Sequence, residues 1–169
     1  IFLKDNFKSI LNLKSEIIKK TIFNSCKIKK SFVEKDEKEK NLRKTLNYGH
    51  TFAHAIEAQA GYTNKINHGE AVLIGMVLAT KFSIYKNLCS RDIINQIFDI
   101  YKENKIYYNL NKISKLKNFS RFIKYMQNDK KNDNEKINLI LLKKIGQTYN
   151  PNKFKFSGKE IKRVLKQII

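Results

Sequence analysis

The segment "LRKTLNYGHTFAHAIEAQAG", residues 42–61, contains two of the three histidines of the chain, and the third follows at His68. Its apolar residues recur at spacings of three and four, which is the pattern of a helix with one buried face. The same spacing runs through most of the 169 residues, which include six glycines and a single proline. The sequence therefore predicts a mainly α-helical fold with many helices.

The apolar spacing also predicts where the elements lie. Helices are expected at residues 2–11, 15–34, 44–60, 69–87, 91–104 and 118–128. Residues 136–150, "KINLILLKKIGQTYN", combine a β-branched run with a glycine, so we expect a short β-hairpin near 137–149, with a buried helix as the alternative. The capping box "SGKE", Ser157 to Glu160, predicts a last helix that runs to Ile169.

The net charge of +20 raises the question of nucleic-acid binding, because clustered cations release counterions from phosphates. The basic residues are 31 lysines and only 4 arginines, spread along the whole chain. Base recognition and bidentate phosphate contacts favour arginine. We therefore expect lysine-rich solvated helix faces and not a nucleic-acid partner, and Arg43 stands out as a cation with a specific task.

The sequence contains few features that indicate a membrane segment, a disulfide bond or secretion. The longest apolar run, residues 71–79, has nine residues, whereas a bilayer span needs about 20, so no membrane segment is expected. Cys26 and Cys89 lie far apart without a CxxC pattern and are expected to be buried free thiols. No secretion signal is recognisable, so we expect a cytoplasmic protein. We expect residues 1–169 to form one domain, and the absence of a first methionine suggests the later part of a longer chain.

Polar residues share one face of the predicted helix 44–60 and the turn before it. At 100° per residue, five of them fall within about 80° of arc. They are Arg43, Asn47, His50, His54 and Glu57. This set differs from the charged surface that a lysine-rich composition produces, so it indicates a functional face.

Two glycines frame that helix. Gly49 inside a helix costs about 1 kcal/mol relative to alanine, which suggests that another group approaches its backbone closely. Gly61 is expected to end the helix.

His68 begins the next predicted helix, where the positive end of the helix dipole favours the neutral imidazole that binds metals. By spacing alone, His50, His54 and His68 are similar to the three zinc ligands of the zincins. The segment "HTFAH" lacks the glutamate of HExxH, however, so peptide hydrolysis has no general base.

Several motifs, taken together, resemble one known family. Residues 36–62, "DEKEKNLRKTLNYGHTFAHAIEAQAGY", and residues 67–79, "NHGEAVLIGMVLA", are similar to the metal-binding core of the 3-dehydroquinate synthases, sugar-phosphate cyclases of the shikimate pathway. Weaker similarity continues at residues 126–131 and 139–146. The resemblance implies a helical C-terminal domain that binds metal and substrate. The N-terminal NAD-binding domain of the family is absent from this sequence.

The resemblance also implies roles for the histidines. His50 and His68 would bind zinc or cobalt, with a third ligand, a glutamate, upstream of Ile1. His54 would contact the substrate phosphate and assist proton movement, which differs from the assignment by spacing alone. Arg43 would then hold the phosphate.

The remaining site residues follow from the same resemblance. Asn47 would bind substrate hydroxyl groups, and Lys29 matches a substrate-binding lysine. Lys130 matches a phosphate-binding lysine, with the adjacent Lys131 as the alternative. His54, Lys29 and Asn47 are the implied catalytic residues.

In the family, NAD oxidises a ring carbon of 3-deoxy-arabino-heptulosonate 7-phosphate, phosphate is eliminated, the ketone is reduced again, and aldol closure gives 3-dehydroquinate. The present sequence has no GxGxxG motif, so NAD is expected to bind mainly to the missing N-terminal domain, and this chain alone is expected to be inactive. The resemblance also implies a homodimer.

Three alternatives remain open at this point. The first is another sugar-phosphate cyclase, acting on sedoheptulose 7-phosphate or glucose 6-phosphate. The second is a helical metal-dependent phosphohydrolase, although the adjacent His-Asp pair of that class is absent. The third is a basic helical module that binds RNA without catalysis.

Overall fold

The structure of the chain, a computed structural model, describes residues 2–61, 66–106, 118–128 and 136–169. The helices of these residues, α1 to α7, are Phe2–Leu11, Ser15–Lys35, His50–Gln59, His68–Tyr85, Asp92–Glu103, Phe119–Gln127 and Gly158–Ile168. A 3₁₀ helix, Leu42–Asn47, lies between α2 and α3. Strands β1 to β4 are Lys136–Asn138, Leu142–Lys144, Gln147–Thr148 and Lys155–Ser157. The prediction of a mainly α-helical fold is confirmed.

Helix α4 forms the centre of the core. It is apolar around its whole circumference, which is typical of a helix surrounded by other elements, and it packs against α3, α5, α7 and β2. Phe82 of α4 is fully buried, and its ring centroid lies 6.4 Å from that of Phe52 on α3. The close packing of α3 on α4 positions the side chains that these two helices carry relative to one another.

The predicted helix 44–60 is interrupted, so that prediction was wrong in its first part. The 3₁₀ helix ends at Asn47, and α3 begins only at His50. Gly49 between them has φ +80°, a left-handed conformation that an α-helix does not allow. A Cβ atom at Gly49 would lie 2.6 Å from the backbone nitrogen of Met76 on α4. The expected close approach of another group to the Gly49 backbone is therefore confirmed.

The strands form two small antiparallel pairs. Strands β2 and β3 make the predicted hairpin, with Leu142 opposite Thr148. Gly146 occupies the turn between them with φ +79°. Strand β1 pairs with β4, which the sequence did not indicate, and this pairing sets the buried Ile137 opposite Phe156.

Both predicted helix ends are present. Gly61 follows α3 with φ +71°, and its N–H donates to the carbonyl of Ala58. The Ser157 side chain accepts the N–H of Glu160 at the start of α7. The Glu160 carboxylate itself accepts a hydrogen bond from Lys86 of α4, which fixes α7 against the core.

Helices α1 and α2 pack on each other, and α2 also contacts the 3₁₀ helix. In α2, which is described in full, no residue is buried. Cys26 on this helix is consequently exposed, so the expectation of a buried thiol was wrong there. Cys89 is half-buried, and burial raises the pKa of its thiol. Among the described helices, none combines the length and the apolar character needed to cross a bilayer.

Candidate active site

A cleft of about 540 Å³ lies between α2, the 3₁₀ helix and the start of α3. Four of the predicted site residues line it, and they come from three separate elements. Lys29 belongs to α2, Arg43 and Asn47 to the 3₁₀ helix, and His50 to α3. The structure therefore brings these four residues together. Arg43, Asn47 and His50 meet there even though the continuous helix used to predict their common face does not exist.

Glu39 lies in the same cleft, and the sequence analysis did not single it out. Its carboxylate accepts a hydrogen bond from the Asn47 amide nitrogen at 2.6 Å. The other carboxylate oxygen lies 4.0 Å from Nε of Arg43. A backbone contact fixes Arg43 further, because Nη1 donates to the carbonyl of Glu37 at 2.7 Å. An acidic group thus lies between two of the predicted substrate contacts.

The loop before the 3₁₀ helix is organised by Asp36. Its carboxylate accepts the N–H groups of Lys40, Asn41 and Arg43 at 2.9, 2.7 and 3.0 Å. Burial raises the pKa of this carboxyl, but the N–H donors of Asn41, Lys40 and Arg43, together with the Arg43 charge, hold the pKa below its ordinary value of 3.8. Asp36 therefore fixes the backbone from which the Arg43 side chain enters the cleft.

The three histidines form a triangle beside the cleft. The ring centroids of His50 and His68 are 5.6 Å apart, those of His50 and His54 are 5.9 Å apart, and those of His54 and His68 are 6.3 Å apart. His50 and His54 lie one turn apart on α3, while His68 is the first residue of α4.

The N-terminus of α4 is fixed by a complete capping box. The Asn67 side chain accepts the N–H of Glu70 at 2.9 Å, and the Glu70 carboxylate accepts the N–H of Asn67 at 3.0 Å. These two bonds hold the backbone of His68 in place.

Two histidine rings have defined partners at Nδ1. Nδ1 of His68 lies 3.1 Å from a carboxylate oxygen of Glu57 on α3. Nδ1 of His50 lies 3.3 Å from the carbonyl oxygen of Tyr48. Tyr48 is itself fixed, because its hydroxyl lies 2.6 Å from that of Thr80 on α4. Each of the two rings thus has an acceptor oxygen at hydrogen-bond distance from Nδ1.

The ring nitrogens of two of the histidines fit a shared metal ion, but they do not complete its coordination. Two imidazoles on one tetrahedral zinc at about 2.0–2.1 Å have ring centroids about 5 Å apart, and the pair His50 and His68, at 5.6 Å, is the nearest to this value. No group of three or more His, Cys, Asp or Glu side chains could hold a metal ion within the residues that the structure describes. His50 and His68 therefore fit a metal that takes its other ligands from elsewhere.

Lys130 and its alternative Lys131 lie outside the described residues. Lys29 is exposed on α2 and faces the cleft.

Comparison with known proteins shows the family of the chain. The profile of the family described as 3-dehydroquinate synthase C-terminal matches residues 1–132. The chain belongs to this family. It is 43% identical over 166 residues to the 3-dehydroquinate synthase of Pelagibacter ubique and 42% identical over 146 residues to that of Dictyoglomus thermophilum. These alignments cover 98% and 86% of the chain but only 45% and 39% of the relatives, so the chain spans less than half of their length.

Two solved structures have the same fold as this chain. The chain superposes on the 2-epi-5-epi-valiolone synthase ValA of Streptomyces hygroscopicus subsp. jinggangensis, solved with NAD+ and Zn2+, with a TM-score of 0.75 at 17% identity over 99% of the chain and 45% of ValA. A 2-deoxy-scyllo-inosose synthase, in complex with carbaglucose-6-phosphate, NAD+ and Co2+, gives a TM-score of 0.59 at 25% identity over 78% of the chain and 35% of that protein.

Proposed function

We propose that this chain is the metal- and substrate-binding part of a 3-dehydroquinate synthase, a carbon-oxygen lyase that converts 3-deoxy-arabino-heptulosonate 7-phosphate to 3-dehydroquinate and phosphate. One observation carries the proposal. Lys29, Arg43, Asn47 and His50 come from three separate elements and line one cleft. The identity of 43% to a 3-dehydroquinate synthase supports the choice of this reaction among those of the cyclases.

The cations of the cleft would bind the substrate phosphate. Arg43 is held at its backbone by Asp36 and at its guanidinium by the Glu37 carbonyl, so its position is defined before substrate binds. Lys29 enters the same cleft from α2. Charge-assisted hydrogen bonds from such groups stabilise a phosphate dianion and the charge that develops as it leaves. Lys130 is proposed to add a further cation.

His54 is proposed to assist proton movement. It lies one turn after His50 on α3, with its ring centroid 5.9 Å from that of His50. An imidazole is the side chain best suited to accept and return a proton near neutral pH. Asn47 is proposed to orient the substrate hydroxyl groups, exchanging its present contact with Glu39 for a contact with substrate.

A metal ion would be held by His50 and His68, whose ring spacing of 5.6 Å fits a shared ion. Zinc or cobalt would act there as a Lewis acid on the substrate hydroxyl that is oxidised. NAD would accept the hydride from the substrate and return it later. We propose that NAD binds mainly to an N-terminal domain outside this chain. The solved cyclases that contain NAD+ with Zn2+ or Co2+ support both cofactor assignments.

Two further parts of the proposal concern the assembly, and both come from the family resemblance. The chain alone is proposed to be inactive, since hydride transfer needs the NAD-binding domain. The complete enzyme is proposed to be a homodimer.

The experiment is a domain replacement. The C-terminal part of the Pelagibacter ubique 3-dehydroquinate synthase that aligns with this chain is replaced by residues 1–169, and phosphate release is measured with NAD and zinc. The original enzyme serves as the control. We expect turnover of 3-deoxy-arabino-heptulosonate 7-phosphate by the fusion protein and none by the chain alone.

Three other outcomes contradict parts of the proposal. A folded fusion protein without activity would contradict the proposed function. Turnover by the chain alone would contradict the two-domain arrangement. A preference for sedoheptulose 7-phosphate or glucose 6-phosphate would assign the chain to another cyclase, a possibility suggested by the folds of the valiolone and inosose synthases.

A further inference from the structure

We infer that Glu57 is a positioning residue for the metal site: its carboxylate fixes the orientation and the tautomer of His68. The inference rests on the proposed function only for the presence of the metal. Nδ1 of His68 lies 3.1 Å from Oε1 of Glu57, a hydrogen-bond distance. Glu57 belongs to α3 and His68 to α4, so this bond also joins the two helices that carry the candidate ligands.

Burial gives the contact its importance. The side chain of Glu57 is only 18% exposed, whereas that of His68 is 58% exposed. A carboxylate with so little contact with water needs a hydrogen-bond donor, because burying an unpaired charge is costly. His68, in contrast, retains a large exposed surface on which a metal and its other ligands can approach.

The capping box alone does not orient the imidazole. Asn67 and Glu70 fix the backbone at the start of α4, but the His68 ring can still rotate about its side-chain bonds. The contact with Glu57 restrains this rotation at one ring nitrogen. Glu57 therefore supplies the restraint on the side chain that the helix end lacks.

The contact also selects a tautomer. A carboxylate accepts hydrogen bonds, so the neutral imidazole of His68 must carry its proton on Nδ1 to donate to Glu57. Nε2 then has the lone pair that a metal requires. An acceptor at the second nitrogen is the usual arrangement around metal-bound histidines, and a carboxylate there also makes the imidazole a stronger donor.

His50 is oriented by a different kind of acceptor. Its Nδ1 lies 3.3 Å from the backbone carbonyl of Tyr48, which carries no net charge. The pair of histidines thus has one neutral acceptor and one negatively charged acceptor. If a divalent cation binds, the Glu57 contact would place a negative charge near it, and a side-chain substitution can remove that charge.

The test uses the full chain with four variants: Glu57→Ala, Glu57→Gln, His68→Ala and Glu103→Ala. Glu103 is an exposed glutamate at the end of α5 and controls for the loss of one negative charge. The histidine ring nitrogens are observed by ¹⁵N NMR without metal at about pH 8.5, two units above the ordinary histidine pKa of about 6.5. Zn²⁺ affinity is then measured by competition with a chromophoric chelator.

We expect the proton of His68 to lie on Nδ1 in the unmodified chain and in the Glu103→Ala variant. In the Glu57→Ala variant, it should distribute over both nitrogens, and Zn²⁺ affinity should fall by about 10–100-fold. Glu57→Gln keeps a carbonyl acceptor of the same shape, so it should retain the tautomer and lose several-fold in affinity through its missing charge. If Glu57→Ala does not fold, the Zn²⁺ affinity of Glu57→Gln tests the role of the Glu57 charge instead.

Unchanged ring nitrogens of His68 in Glu57→Ala would overturn the inference. A Zn²⁺ affinity within twofold of the unmodified chain in both Glu57 variants would do the same, provided that His68→Ala abolishes binding. If His68→Ala leaves the affinity unchanged, the proposed metal site is wrong. In that case, the NMR measurement without metal still tests whether Glu57 selects the tautomer.

Discussion

The backbone of Gly49 approaches Gly75 so closely that a Cβ atom at Gly75 would lie 2.2 Å from the Gly49 carbonyl oxygen. Gly49 directly precedes His50 at the start of α3, and Gly75 lies two turns into the helix that begins at His68. The contact between two residues without side chains therefore determines how closely the helices with the two candidate metal ligands approach each other.

We expect Gly75→Ala to lower the melting temperature of the chain, because the added methyl group must push α3 away from α4. Overpacking of this kind typically costs about 1–3 kcal/mol. Gly69→Ala is the matched control on the same helix, since a Cβ there would meet only the Asn67 side chain at 3.4 Å. Helix propensity predicts that this control is neutral or stabilising by up to about 1 kcal/mol. Equal melting temperatures for both variants would show that the glycine contact is unimportant.

The helices were predictable because their apolar spacing reflects local geometry. Helix α4 is an example, predicted at 69–87 and observed at His68–Tyr85. The break at Gly49 was not predictable in the same way. Gly49 lies against the backbone of Met76, which is far away in the sequence, and local apolar spacing does not reveal such a contact. The pairing of β1 with β4 was not predictable either, because it joins segments that are separated in the sequence.

The site was predictable to the extent that it lies in motifs. Arg43, Asn47 and His50 were found through their order in the sequence, and the structure brings them to one cleft. Glu39 was missed because its importance comes from contacts with Arg43 and Asn47 that require the folded loop. Glu57 was placed on the polar face, but only the structure reveals its contact with His68.

The roles of the three histidines lead to a second prediction. His50→Ala or His68→Ala should abolish Zn²⁺ binding by the chain, because each removes one of only two proposed ligands in this chain. His54→Ala should retain most of the binding, because His54 is not a proposed ligand. Calorimetric titration of the three variants with Zn²⁺ measures this directly. Loss of binding in His54→Ala as well as in the other two variants would favour the zincin-like assignment, in which all three histidines are ligands.

Arg43 is the subject of a third prediction. In the fusion protein, Arg43→Lys keeps the charge but loses the planar fork that can contact a phosphate while it donates to the Glu37 carbonyl. We expect kcat/KM to fall by about 10–100-fold, equivalent to about 1.4–2.7 kcal/mol of transition-state stabilisation. Arg91→Lys, an exposed arginine before α5, is the control and should leave the kinetics unchanged. Equal kinetics in both variants would make Arg43 a surface cation without a role in phosphate binding.

The last prediction concerns pH and the loop that holds Arg43. The pKa of Asp36 is lower in the folded chain than its ordinary value of 3.8. A carboxyl whose pKa is lowered in the folded state stabilises that state above its unfolded pKa, and this contribution is lost as the pH falls through the folded pKa. Asp36→Asn should therefore lower the melting temperature at pH 6, and the difference from the unmodified chain should shrink as the pH falls below about 4.

An exposed aspartate on α5, Asp99, provides the control for that experiment. Asp99→Asn should follow the melting temperature of the unmodified chain at every pH. The asparagine at position 36 keeps one oxygen but loses the charge that attracts the N–H groups of Lys40, Asn41 and Arg43, so the loop should loosen above pH 4. Amide hydrogen exchange of these three groups should be faster in Asp36→Asn at pH 6. Exchange rates equal to those of the unmodified chain would show that the loop, and with it the position of Arg43, is maintained by other contacts.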